Sequence, residues 1–317
     1  MEDYPRTLGE LELRFSSEEA CRQYLAALRW PEGFLCPACK AGQAWPTGRG
    51  LWMCRGCGRQ ASVTAGTIFQ DTRTPLPVWF RAIWWVVSQK SGASALGLQQ
   101  TLGLGSYSTA WTWLHKLRRA MVRPGREPLG GVVEVDETLV GGAESGGGRR
   151  HLGQKKALVV IAAEVRGRAI GRIRLQRVAS AAAADVLPFV QEAVAPGTVV
   201  ITDGLPTYLG LPEKGYQHDR RVLLGRGASA EAVLPRVHRV ASLLKRWLLG
   251  THQGAVSREH LDYYLDEFSF RFNRRRSQHR GKLFYRLLQQ AVLVAPVPYA
   301  TLVKGIRGRP KKTNPNG

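Results

Sequence analysis

Val132-Val133-Glu134-Val135-Asp136 is a short apolar run of β-branched residues, and it reads as a strand that opens the middle of the chain. Working outward, Gly141–Gly148 is a glycine-rich connection and Ala157–Val165 a second, wholly apolar strand. Arg166-Gly167-Arg168 is a tight turn into a third strand, Ala169–Val178, where Ile173 and Leu175 stand among arginines. A helix over Ala181–Ala195, a fourth strand over Gly197–Asp203 and a fifth over Arg220–Leu224 follow. The next helix spans Leu234–Leu249, with Pro235 near its first position and Gly250 just past its end. Three consecutive strands, then helices alternating with strands, predict an α/β domain built on a mixed sheet.

Two carboxylates in that domain are placed at strand ends. Asp136 closes the first strand and shares a face with Glu134; alternation puts Glu137 on the other face. Asp203 closes the fourth strand and is followed by Gly204. Ligands collect where strands open into loops, and two such carboxylates can hold Mg²⁺ or Mn²⁺ for phosphoryl transfer. Glu134 stays an alternative to Asp136 on this reading. On the following helix, His238, Ser242 and Lys245 lie on one face, opposite a stripe of Val237, Val240, Leu244 and Leu248.

Four of the 5 cysteines form two knuckles, Cys36-x2-Cys39 and Cys54-x2-Cys57. Each knuckle offers two thiolates to one tetrahedral ion, so the pair predicts a structural Zn²⁺ site; Gly33, Gly56 and Gly58 let the backbone bend around it. Cys21 lies outside the pattern and reads as a small buried hydrophobe. Ser16-x-x-Glu19 has the form of a capping box for a helix carrying Ala20, Tyr24, Leu25 and Leu28. Pro75 and Pro77 precede an aromatic helix, Val78–Gln89, whose Trp79, Phe80, Trp84 and Trp85 read as core.

Ser94–Thr101 and Ser106–Val122, joined by Leu102-Gly103-Leu104-Gly105, have the layout of a helix-turn-helix. Trp111, Leu114, Leu117 and Met121 would be the buried stripe of the second helix, and Tyr107, Ser108 and Thr109 its base-reading end. Lys116, Arg118, Arg119 and Arg123 would bind phosphates. Pro124-Gly125 then ends the module.

The 317 residues carry Lys+Arg 46 against Asp+Glu 24, a net charge of +22. Such an excess points to a polyanion, most simply nucleic acid, and away from an enzyme of small neutral substrates. It is unevenly spread: −3 over residues 1–32, +10 over 33–125, +3 over 126–270 and +12 over 271–317. No apolar run is long enough to span a bilayer, and Met-Glu-Asp-Tyr-Pro has no signal-peptide character, so an intracellular, cytoplasmic and nucleoid-associated protein is expected. Near the end, Ser257 opens an amphipathic helix with Leu261, Tyr264, Leu265, Phe268 and Phe272 inside. It runs on into a basic strip that includes Arg271, Arg274, Arg275, Arg276, Arg280, Lys282 and Arg286. Arg307-Gly308-Arg309-Pro310-Lys311-Lys312 is either the core of an AT-hook or a generic basic tail.

Val-Glu-Val-Asp136-Glu-Thr, Ile-Thr-Asp203-Gly and Val-His238-Arg-Val-x-Ser-x-Leu-Lys245-Arg-Trp, in this order behind a zinc ribbon, resemble the motifs of bacterial insertion-sequence transposases of the IS-fifteen-ninety-five, or ISXO-like, class. The resemblance covers roughly residues 15–290. It implies a ribonuclease-H-like catalytic domain of the DDE type, with Asp136 and Asp203 as ligands of Mg²⁺ or Mn²⁺. His238 stands where many relatives carry Glu, and it either ligates the metal or orients water or phosphate. The resemblance further implies that Lys245 contacts DNA phosphate, and that Arg149 and Arg150, after the glycine-rich segment, hold the transposon end. The expected divisions are an N-terminal helical segment (1–32), a zinc ribbon (33–60), a helix-turn-helix-like module (61–125), the catalytic domain (126–290) and a basic, disordered tail (291–317). The expected partners are double-stranded DNA, both terminal inverted repeats and target, and further copies of the chain. A transposase-derived DNA-binding regulator and a structure-selective nuclease without strand transfer are the alternatives.

Overall fold

The computed structural model describes residues 2–123, 125–141, 156–222, 233–254 and 256–304. It divides into two compact units, residues 1–123 with 277–304, and residues 124–276 with 305–317.

The first unit starts with helices α1 (Leu8–Arg14) and α2 (Glu18–Arg29). The cap of α2 is Ser17, whose hydroxyl accepts the N–H of Ala20; Ser16 instead donates to the carbonyl of Leu13, so the cap sits one residue later than expected, with Ala20 rather than Glu at the third helical position, and the expected capping box does not form. Strands β1 (Ala44–Pro46), β2 (Trp52–Cys54) and β3 (Gln60–Ala61) form a small antiparallel sheet. Helix α3 (Leu76–Ser88) begins earlier than expected and takes Pro77 into its first turn, where a missing N–H costs nothing. Trp79, Phe80 and Trp84 are buried, and Trp79 stacks on Trp113 with ring centroids 3.7 Å apart. Helices α4 (Ala95–Leu102) and α5 (Tyr107–Ala120) are capped by Ser94 and Ser106, and between them Gly103 takes a left-handed φ of 62°.

The second unit is the α/β domain. Strands β4 (Val132–Gly141), β5 (Lys156–Arg166) and β6 (Ala169–Val178) form an antiparallel meander. Helix α6 (Ala183–Ala193) then leads to β7 (Val199–Thr202), which lies parallel to β4, and β8 (Gln217–Arg220), parallel to β7. The sheet order is β6-β5-β4-β7-β8, mixed as expected. Strand β8 lies three residues earlier than predicted, because its four rows pair with the four residues of β7, from Val199↔Gln217 to Thr202↔Arg220.

One face of the sheet closes a core of Val133, Val135, Val160, Ala162 and Val200 against Val186, Phe189 and Val190 of α6, with Tyr208 inside. The other face is covered by α7 (Pro235–His252), which packs on β4 and β5, and α8 (Leu261–Asn273), which packs on β6. Helix α7 runs through Gly250 and stops at Gln253, whose left-handed φ of 51° supplies the cap expected of the glycine. Helix α8 starts at Leu261; Ser257 lies outside it and bonds His260.

Helices α9 (Arg280–Ala291) and α10 (Tyr299–Val303) belong to the first unit, where Phe284 packs on Phe80 and Trp84. Residues 277–290, expected in the catalytic domain, therefore pack elsewhere, and 299–303 is helical where a tail was expected. Among the described residues no helix is long and apolar enough to cross a membrane.

Candidate active site and metal centres

Parallel pairing between β4 and β7 runs through Val132↔Val199, Val133↔Val200 and Glu134↔Ile201. Continued by two rows, the same register sets Asp136 opposite Asp203. Strands in a sheet lie ~4.8 Å apart, so the two carboxylates start from neighbouring backbone positions on one face. Asp136 does not end its strand, because the hairpin with β5 extends β4 to Gly141; it sits where the neighbouring strand β7 ends. Asp203 Oδ1 accepts the N–H of Leu205 at 3.0 Å, which orients the carboxyl as the chain turns away.

Helix α7 brings His238 to the same face. Its Nε2 lies 3.7 Å from Asp136 Oδ2, with side chains 27% and 13% exposed. Ser242 and Lys245 are exposed further along the helix, while Val237, Val240, Leu244 and Leu248 are buried.

Glu134, left open as an alternative to Asp136, has a different task. Its carboxyl is fully buried and accepts the N–H of Arg236 at 2.7 Å and of Val237 at 3.0 Å. It also pairs with the Arg236 guanidinium at 2.8 Å. The first turn of α7 has no cap of its own, so a strand residue about a hundred positions earlier fills that role and fixes the helix two residues ahead of His238. Arg236 also donates to the carbonyl of Gly167. Glu137, on the opposite face, accepts the hydroxyl of Tyr208 at 2.6 Å. Burial, then the charges of Glu137, Asp136 and Asp203, raise the Tyr208 pKa well above its ordinary value, so this phenol stays protonated. Neither Tyr208 nor Arg236 carries a sequence signal that singles it out; only the fold brings them here.

Two hard carboxylates on neighbouring strands suit Mg²⁺ or Mn²⁺, and an imidazole beside them suits Mn²⁺ better than Mg²⁺. Asp136, Asp203 and His238 do not form a tight cage: among the described residues the only cluster of metal-ligand type is Cys36, Cys39, Cys54 and Cys57, whose sulfurs all lie within 4.8 Å of one another. Sγ distances of 3.8 Å for Cys36–Cys57 and 3.5 Å for Cys39–Cys54 match the roughly 3.8 Å edge of a tetrahedron with ~2.3 Å Zn–S bonds. N–H groups of Cys39 and Ala38 pull the Cys36 thiol down to about 6, while bonds to the neighbouring thiols push Cys39 the other way. A side chain at Gly56 would bring a Cβ to 2.9 Å from the Cβ of Ala41, so the close approach of that residue favours glycine in this knuckle. Cys21 is buried, and burial pushes its thiol up to about 12, well outside ligand chemistry.

The expected DNA contacts divide. Tyr107 and Ser108 are exposed at the start of α5, and Thr109 shares a hydrogen bond with Ser106. Lys116 is half-buried, and that burial lowers its pKa; Arg119 is half-buried. Arg118 is only 2% exposed and points inward, to the carbonyl of Ala93 and the ring of His115, so it is no phosphate ligand. Trp113 takes the buried place expected of Trp111, which is half-buried. Arg274 stacks over Phe270 at 4.2 Å, and Arg275 stacks over Phe272 at 4.0 Å and donates to the carbonyls of Phe272, Ile170 and Gly171. These two are anchored to the protein; Arg276 is exposed. Arg271 pairs with buried Glu267, and Arg280, Lys282 and Arg286 belong to the other unit, so the basic strip is not one surface of the α/β domain. Arg149, Arg150, Arg307 and Arg309 lie outside the described residues.

Comparison with known proteins matches residues 128–273 to an ISXO2-like transposase domain and residues 16–60 to a transposase zinc-ribbon domain. An uncharacterized protein in transposable element ISH50 of Halobacterium salinarum is 26% identical over 277 residues, covering 81% of this chain and 91% of that protein. The α/β unit and the cysteine ribbon coincide with the two matched domains, so over both the chain is similar to ISXO2-like transposases.

Proposed function

We propose that this protein cuts and joins DNA at the ends of its insertion sequence through a DDE-type site formed by Asp136, Asp203 and His238. The observation that supports the reading is the β4–β7 register, which, continued two rows past Glu134↔Ile201, would set the two aspartates opposite each other, together with His238 Nε2 at 3.7 Å from Asp136 Oδ2. The sheet order, three antiparallel strands followed by two parallel ones, is the order a ribonuclease-H-like domain would have. Mg²⁺ or Mn²⁺ bound there would supply Lewis acidity toward a DNA phosphate. The residues of the chain do the rest. Asp136 and Asp203 present oxygen donors, and His238, 3.7 Å from Asp136, orients water or phosphate. Exposed Lys245, two turns along the same helix, would hold a neighbouring phosphate. In this reading water attacks first, and the freed 3′ hydroxyl then attacks the target strand.

DNA is held by the ribbon and by the exposed N-terminal end of α5 at Tyr107 and Ser108, with Lys116 and Arg119 on its flank, and by Arg276. Two ends are joined in one event, so the protein would act as an oligomer on terminal repeats and target DNA. The test incubates the protein with terminal-repeat DNA, a target plasmid and Mg²⁺ or Mn²⁺. Cleaved ends and joined products are expected. Cleavage without joining would mark a nuclease, and binding without cleavage a DNA-binding regulator.

A further inference from the structure

Parallel pairing of β4 with β7 stops at Glu134↔Ile201, so the row holding Asp136 and Asp203 lies beyond the ladder. Past that end, on the reverse face, a side-chain bond ties β4 to the turn that follows β7. Tyr208 follows Asp203 by five residues, in a 3-10 turn over Pro206–Tyr208, and its hydroxyl donates to Glu137 at 2.6 Å. Glu137 is the residue directly after Asp136. The turn is pinned again by Thr207, whose hydroxyl donates to the carbonyl of Ala181 at 2.6 Å. Tyr208 itself is fully buried among Val133, Val135, Phe189 and Val190.

We propose that Tyr208 and Glu137 form a brace that holds Asp136 and Asp203 at a fixed spacing, so that both are positioned for one divalent cation. The inference rests on the metal-site reading above. Two adjacent carboxylates repel, and Asp203 lies past the last row that pairs β7 with β4. A buried ring cannot shift without opening the core, and its hydroxyl holds the side-chain carboxylate of Glu137, the residue next to Asp136, from behind. Glu137 gains as well: a carboxylate turned toward an apolar core needs a donor, and the phenol is that donor. Neither residue touches substrate or cation, so both are positioning residues.

The experiment measures Mn²⁺ binding to the full-length protein without DNA, by electron paramagnetic resonance of the free ion. Loss of an outer-shell partner typically weakens metal binding by 10-fold or more, so Tyr208→Phe and Glu137→Ala should each weaken Mn²⁺ binding on the order of 10-fold. Glu137→Gln keeps an acceptor oxygen and should stay near the wild-type affinity. Tyr208→Phe preserves the ring, and Glu137→Ala leaves the ring untouched, so failure of one to fold leaves the other informative. Wild-type Mn²⁺ affinity in either folded variant overturns the brace, provided that Asp136→Ala has lost binding. Undiminished binding in Asp136→Ala instead overturns the metal-site reading on which the brace rests.

Discussion

Removal of the Glu134 carboxyl should release the start of α7 and with it His238. In Glu134→Ala, the guanidinium of Arg236, with its side chain 21% exposed, loses its carboxylate, and the N–H groups of Arg236 and Val237 lose their acceptor. Breaking a buried ion pair from one side costs about 3–5 kcal/mol. Because Arg236 keeps the Gly167 carbonyl and some contact with water, the lower end, ~3 kcal/mol, is expected. The unfolding of a two-unit, zinc-bearing chain is not a single transition, so a local probe serves better. Hydrogen exchange followed by mass spectrometry on peptides covering residues 233–240 reads this turn directly. A cost of ~3 kcal/mol speeds exchange there on the order of 100-fold, while the peptides of β5 and α6 hold their protection. Glu134→Gln, which keeps an acceptor for the backbone, should fall between the two. Unchanged exchange in Glu134→Ala would refute the idea that this carboxyl caps and positions α7.

Other consequences follow from separate parts of the molecule. Cys39→Ser, or chelation, should remove the one zinc expected per chain and lower the melting temperature of the first unit; retention of full zinc in the variant would count against the four-sulfur site. Arg118→Ala should destabilise the first unit by about 1–3 kcal/mol through its lost buried hydrogen bonds, whereas Tyr107→Ala should weaken DNA binding and leave stability unchanged; the reverse pattern would contradict the assignment. Burial works against the charge of Glu164, but the hydrogen bonds and charge of Arg172 and the N–H of Gly130 outweigh it and hold the carboxyl below its ordinary value. Its contribution to stability is therefore complete above the ordinary carboxylate range and is lost as pH falls below it. Glu164→Gln should flatten that acid limb, and an identical limb in the variant would refute the pairing.

Much of this domain is written in local sequence. Strand β6 spans the residues expected from alternation, and β5 differs by one residue at each end. The sheet and the ribbon are legible because apolar periodicity and paired knuckles are local signals. The errors arise where a distant partner decides. Arg118 looks like a phosphate ligand on a basic helix, but burial against Ala93 and His115 depends on how α4 and α5 pack. Gly250 looks like a helix stop, yet Gln253 takes the cap because its N–H and that of Gly254 both reach the carbonyl of Leu248. Glu134 and Glu137 flank Asp136 and look interchangeable with it. Alternation separates Glu137, but the burial of Glu134 under α7 appears only once residues about a hundred positions apart are brought together.

The central claim is that Asp136 and Asp203 form one catalytic site, and the most direct measurement is strand cleavage and transfer by Asp136→Ala and Asp203→Ala on terminal-repeat DNA in Mg²⁺ or Mn²⁺. Both variants should bind the repeat as the wild type does and yield neither nicked nor joined products. Wild-type product formation by either variant would contradict the claim.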